Sequence, residues 1–258
     1  KSLYPSSMLQ FNLSTETISE DPSEFDEYVK IPHVPEPKKV HGDVRKEDVE
    51  WDWLYASMDK EGIIPRNIKN LFEDRDKAKN KRDSYQNGTN EWERWERTQR
   101  VIKEIMNSFY GNSGSPYWRL SRMELAESIT STARYALWKG FQYSKENDIP
   151  VLYADTDSLF IDLSSEKLEE QIDELGETAS EINAYMDTVV DDIGLNAPHP
   201  FFTSDLHGTE YTTYVFEAEY IAETFMQLGK KKRYCSAKVW EEGGFYDKVK
   251  FDISGFQN

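Results

Sequence analysis

Apolar and polar positions follow two different rhythms along this chain. From Arg66 to about Arg82 the sequence is strongly charged with few breakers, which predicts a helix. A second helix is predicted from about Glu91 to Ser108, ending near Tyr110-Gly111, and the turn signal Asn87-Gly88-Thr89-Asn90 joins the two into a helical hairpin. Met123, Ala126, Ile129, Ala133, Ala136 and Leu137 recur at a helical period and predict a helix over about Ser121–Glu146. Leu168, Ile172, Leu175, Ile182, Met186, Val189 and Ile193 fall on one side of a further amphipathic helix, about Glu166–Ile193, with Gly194 as its stop. The other rhythm is that of strands. Val151–Ala154 and Ser158–Asp162 read as a hairpin around Asp155-Thr156-Asp157, and Tyr211–Ile253 alternates and is rich in Tyr, Phe, Val and Thr. Residues 1–60 look irregular, with prolines at 5, 22, 32, 35 and 37 and a charged stretch from Glu36 to Glu50, so loops with short strands are expected there.

Composition narrows the class. Apolar residues make up 38% and aromatics 14% of the 258 residues, which argues for a packed core and against disorder. No apolar run approaches the roughly 20 residues of a membrane span, and no basic-then-apolar leader is seen. A cytoplasmic protein without a membrane partner is therefore expected, in a prokaryotic cell or a virus-infected host. Cys235 is the single cysteine, which rules out intramolecular disulfides and cysteine zinc sites and fits a reducing compartment. The net charge of −17 opposes nucleic-acid binding unless basic residues cluster locally. They do so in two places. The hairpin from Arg75 to Lys103 is slightly basic, and Lys230–Arg233 is the densest basic run.

Four short motifs occur in a fixed order. They are Ser2-Leu3-Tyr4-Pro5-Ser6, Lys103-Glu-Ile-Met-Asn107-Ser-Phe-Tyr110-Gly111, Tyr153-Ala-Asp155-Thr-Asp157-Ser158 and Lys231-Lys232-Arg-Tyr234. The set, together with Glu61-Gly-Ile-Ile-Pro65, resembles the family B, replicative-type DNA polymerases: the end of motif A, motif B, motif C, the Lys-Lys-x-Tyr motif, and the segment leading into the fingers. An α+β fold is expected. A palm with a small antiparallel sheet and packed helices would comprise residues 1–62 and 113–258, and the helical hairpin 63–112 would be the fingers. The exonuclease, N-terminal and thumb domains have no counterpart. Because the chain starts within a motif, it reads as a stretch of a longer protein.

The resemblance implies DNA-directed nucleotidyl transfer from a dNTP to a primer 3′-hydroxyl. Asp157 would be the direct metal ligand and Asp155 its support, with Glu219 as an added candidate. The cofactor would be two Mg2+ ions, for which Mn2+ can stand in; hard carboxylate oxygens on a tight turn suit such ions. The family's other metal ligand falls three residues before Ser2, outside this chain, so an isolated stretch of this kind is expected to be inactive or weakly active. Arg75, Lys79, Lys103 and Asn107 would meet the triphosphate, and Tyr110 the nascent base pair. Tyr4 would pack under the sugar, beside Ser2 and Leu3. Arg100 shares the Lys103–Asn107–Tyr110 face by spacing alone. Lys231, Lys232 and Tyr234 would contact primer–template DNA. The remaining polymerase segments and a sliding clamp are further partners. Two other readings stand beside this one. One is a non-catalytic DNA- or partner-binding piece of a split or decayed polymerase; the other is an acidic structural protein with chance motifs.

Overall fold

The computed structural model describes residues 2–33, 52–192, 201, 214–230, 232–241 and 244–255. The charged stretch Glu36–Glu50, the stop at Gly194, Lys231 and the first residues of the strand-rich third lie outside these. The fold is α+β, with small antiparallel sheets and long helices. Residues 1–139 with 186–215 form one compact unit, and residues 140–185 with 216–258 form a second.

The first unit opens with helix α1 (Leu3–Gln10), where irregular chain was expected. Pro5 stands in its first turn, where the missing N–H breaks no helical bond. Residues 5–10 are all buried, the polar Ser6, Ser7 and Gln10 among them, so this stretch of α1 has no solvent-facing side and its sequence gives no stripe that marks a surface helix. Strands β1 (Ile18–Ser19), β2 (Tyr28–His33) and β3 (Asp52–Ser57) pair antiparallel in the order β1-β3-β2. Ile18 and Val29 both oppose Ala56, and Ile31 opposes Leu54. All five are buried, so one pleated face meets the core with Met8, Leu9, Phe11 and Leu13.

Helix α2 (Ile63–Asp83) starts three residues before the expected Arg66, with Pro65 in its first turn. Its N-cap, Gly62, has no side chain to cap with, so distant residues do the work. Glu16 Oε1 accepts from Ile63 N at 2.7 Å, and Ser14 Oγ accepts from Ile64 N at 3.3 Å. Burial pushes the Glu16 carboxyl up, but its bonds from Ser14 and Ile63 outweigh burial and hold it below the ordinary value. Ile64, Ile68 and Phe72, one helical turn apart, are buried. Thr89 caps α3 (Asn90–Ser113) by accepting from Trp92 N. This helix passes through Gly111 and ends at the Gly114 cap, beyond the end expected near Tyr110-Gly111. Helix α4 (Met123–Glu146) adds Leu125, Ile129 and Ala133 to this core.

Asn12 ties the elements of this unit together. It is fully buried, in the left-handed region at φ 48° that Asn tolerates. Its Nδ2 donates to the carbonyls of Ser57 (2.7 Å) and Lys60 (2.9 Å), and its Oδ1 accepts from Gly62 N (2.8 Å).

In the second unit, strands β4 (Val151–Asp155) and β5 (Ser158–Ile161) form the expected hairpin. Strands β6 (Tyr220–Gln227), β7 (Tyr234–Glu241) and β8 (Gly244–Ser254) form an antiparallel sheet in chain order. Gly140 admits a close approach, since a Cβ there would lie 2.8 Å from Phe216 and 3.2 Å from Leu159 of β5. Asn183, on helix α5 (Leu168–Asp192), donates to Phe216 O and accepts from Phe216 N.

Glu174 of α5 fastens the loop after β5. It accepts from Ser164 N and Oγ and from Ser165 N, at 2.8, 2.8 and 3.0 Å. These bonds, the Ser164 amide first, hold its carboxyl down to about 2 from the ordinary 4.5. A depressed carboxyl stabilises the fold above its unfolded value and loses that contribution as pH falls through the folded one. Hydrogen-exchange protection of the Ser164 and Ser165 amides should therefore be constant above about pH 4.5 and fall between there and about pH 2. In Glu174→Ala, which removes both acceptor oxygens, the same amides should be unprotected at every pH.

Candidate active site

In the first unit, α1, α2 and α3 bring together residues far apart in sequence. Tyr4 and Tyr110 stack with ring centroids 4.1 Å apart and planes 26° from parallel. Ser2 sits at the α1 N-cap in the left-handed region, and Arg75 Nη1 on α2 lies 3.4 Å from its hydroxyl. Leu3 is the first residue of α1. Arg75 Nε also donates to Gln99 Oε1 on α3, at 3.1 Å. Lys79 follows Arg75 by one turn of α2 and is half-buried. Lys103 and Asn107 are exposed on α3, in step with Tyr110. Arg100 is drawn into a different contact, since its Nε donates to Glu96 at 2.7 Å.

In the second unit, the β4–β5 turn presents the two aspartates. Asp155 opposes Ser158, and Asp157 N donates to Asp155 O at 2.6 Å, closing a three-residue turn about Thr156. Thr156 has φ 53°, an uncommon conformation for a β-branched residue and one held only by surrounding structure. Asp157 is exposed at the tip, whereas the Asp155 side chain is 16% exposed. Lys232 reaches the same turn. Its Nζ lies 3.7 Å from Asp155 Oδ1 and 3.3 Å from Thr156 Oγ1, and its backbone N donates to the Tyr153 hydroxyl at 2.9 Å.

The hairpin is seated on β6 and β7 by aromatic packing. Tyr153, Phe160, Phe225 and Tyr234 have ring centroids 4.9–6.1 Å apart. Tyr234 is thus part of this seat. Burial, with the nearby Asp252 and Asp155 carboxylates, raises its phenol above the ordinary value. Glu219 is exposed just before β6 and does not join Asp155 and Asp157; among the described residues no three His, Cys, Asp or Glu side chains gather as a metal site. The donor set at the turn is two carboxylates, which suits magnesium, an ion that usually takes one or two carboxylates and completes its shell with water and phosphate.

The Lys232 position depends on a glycine. Gly255 has φ 73°, and a Cβ there would lie 2.0 Å from the Lys232 carbonyl oxygen. Gly255→Ala should therefore displace Lys232 from the turn and lower stability by about 2 kcal/mol. Urea unfolding measures the loss, and changed amide shifts at Thr156 and Lys232 report the displacement.

The family model for DNA polymerase family B matches residues 1–190. The chain belongs to this family. The family B chain is 33% identical to DNA polymerase 1 of Sulfolobus acidocaldarius over 176 residues, 66% of this chain and 18% of the relative. It is 28% identical to the DNA polymerase alpha catalytic subunit of Mus musculus over 188 residues, 70% of this chain and 12% of the relative. The solved structure of the family B DNA polymerase from Pyrobaculum calidifontis is similar with a TM-score of 0.58 and 26% identity, over 99% of this chain and 26% of that one. The chain therefore spans less than a fifth of the length of these curated relatives.

Two residues of this family B chain that face the candidate site were not singled out by sequence reasoning: Glu96 and Gln99. Gln99 precedes the buried Met106 by seven residues, so it shares Met106's face of α3. That spacing was the available sign that a polar residue is turned into the hairpin.

Proposed function

We propose that this chain is the palm and fingers part of a DNA-directed DNA polymerase, with residues 63–112 as fingers and 1–62 and 113–258 as palm. The observation that carries the reading is the β4–β5 turn, which presents Asp155 and Asp157 at its tip within the family-matched residues. The reaction is attack of a primer 3′-hydroxyl on the α-phosphate of a dNTP, with pyrophosphate leaving. Asp157 and Asp155 hold magnesium, which when bound supplies Lewis acidity for the hydroxyl and screening for the phosphates. Lys103, Arg75 and Lys79 offset the charge that gathers on the leaving pyrophosphate, and Asn107 lies beside them. Tyr4, with Tyr110 stacked on it, forms the floor for the sugar and excludes a 2′-hydroxyl by collision. Lys231, Lys232 and Tyr234 grip the primer–template through phosphate and sugar, contacts that read no sequence.

The test is magnesium-dependent primer elongation by the protein extended at both ends to the length of its relatives. One pyrophosphate should be released per nucleotide added. Tight primer–template binding by folded protein without pyrophosphate release would support a binding-only descendant of the family.

A further inference from the structure

Arg75 is held by a neutral acceptor whose own orientation is fixed from behind. Gln99 is 7% exposed, and its amide is used at both ends. Its Oε1 accepts from Arg75 Nε at 3.1 Å, and its Nε2 donates to Glu96 Oε1 at 3.0 Å. A guanidinium only donates and an ionised carboxylate only accepts, so a single orientation of the amide satisfies both neighbours. The flipped amide would set NH2 against guanidinium. Glu96 is itself pinned: Arg82 Nη1 donates to its Oε2 at 2.9 Å and Arg100 Nε to its Oε1 at 2.7 Å. Burial works against its charge, but the bonds from Arg82, Arg100 and Gln99 outweigh burial and keep its carboxyl below the ordinary value.

We propose that Glu96 and Gln99 are positioning residues that set the Arg75 guanidinium for a nucleoside triphosphate. The amide fixes the guanidinium plane through Nε and directs its terminal nitrogens toward the start of α1, where Nη1 meets Ser2. Planar, two-pronged contact with phosphate depends on that plane. A carboxylate at position 99 would hold Arg75 too, but it would add negative charge where a triphosphate is to bind. The neutral amide orients without that charge. Glu96 acts one step further out, by dictating which end of the amide faces Arg75. The inference rests on the reading of Arg75 as a triphosphate contact.

The test is calorimetric titration of the 258-residue chain with dATP and, separately, with inorganic tripolyphosphate, both with magnesium. Arg75→Ala and Gln99→Met should each weaken both probes by about tenfold, the loss expected for a hydrogen bond to a charged group. In the Arg75→Ala background, Gln99→Met should change affinity by less than about twofold, because the two act as one unit. Glu96→Gln, which frees the amide to flip, should weaken both probes in the Arg75 background only, and it decides the matter if Gln99→Met does not fold. A full Gln99→Met loss that persists without Arg75 would mark a merely structural role and overturn the inference. So would wild-type affinity in both Gln99→Met and Glu96→Gln beside a weakened Arg75→Ala. Equal binding, or no binding, by wild type and Arg75→Ala would instead overturn the triphosphate reading, and the inference with it.

Discussion

Asp157→Ala is expected to lower magnesium-dependent primer extension by about a thousandfold, corresponding to a loss of roughly 4 kcal/mol of transition-state stabilisation. Asp157 is exposed at the tip of a closed turn, and among the described residues its carboxylate meets only a long 3.5 Å contact from the Ser158 hydroxyl to Oδ1. Asp155 is more enclosed and lies beside Lys232 and the Thr156 hydroxyl. Removing Asp157 thus deletes the carboxylate offered outward and leaves the inner one next to its cation. The aromatic seat of the hairpin does not involve Asp157, so stability should change by less than about 0.5 kcal/mol, as for surface substitutions generally. Primer–template affinity should also survive. The measurement is single-turnover extension with urea unfolding of the same preparations; a tenfold loss or less would remove Asp157 from the chemistry.

Asn12→Ala is expected to cost about 4 kcal/mol of stability. One side chain satisfies two carbonyls and one amide N–H; alanine leaves the Ser57 carbonyl and the Gly62 N–H buried without a partner from this position and removes the part-buried bond to the Lys60 carbonyl. Alanine also occupies the left-handed region less readily than asparagine. The groups it serves lead directly into α2, the helix that bears Arg75 and Lys79, so loss of Asn12 should loosen the start of that helix before the rest. Urea unfolding gives the total. Hydrogen exchange at Gly62 gives the local part, and unchanged protection there would contradict the assignment.

Much of this architecture was legible in the sequence, for identifiable reasons. The motif C hairpin was readable because Asp155-Thr156-Asp157 interrupts two short apolar, strand-like runs, Val151–Ala154 and Ser158–Asp162. Helices α4 and α5 were readable from their apolar stripes. Helix α1 was not, because a helix buried on every side carries no stripe. The start of α2 was missed because Pro65 reads as a breaker, yet it falls in the first turn, where proline is tolerated. Individual residues divide the same way. Tyr4 and Tyr110 were each found through their motifs, but their stacking across more than a hundred positions depends on how α1 meets α3. Asn12, Glu16, Glu96 and Gln99 act through partners that only the folded chain brings near, and polar residues at such positions look like ordinary surface in a sequence.

The most direct test of the central claim is single-nucleotide addition by the protein extended to its relatives' length, with each dNTP offered against each template base in magnesium. The account predicts elongation by the complementary dNTP alone, with pyrophosphate released one for one and ribonucleotides refused. Addition that ignores the template base, or none from folded protein that holds the primer–template, would contradict it.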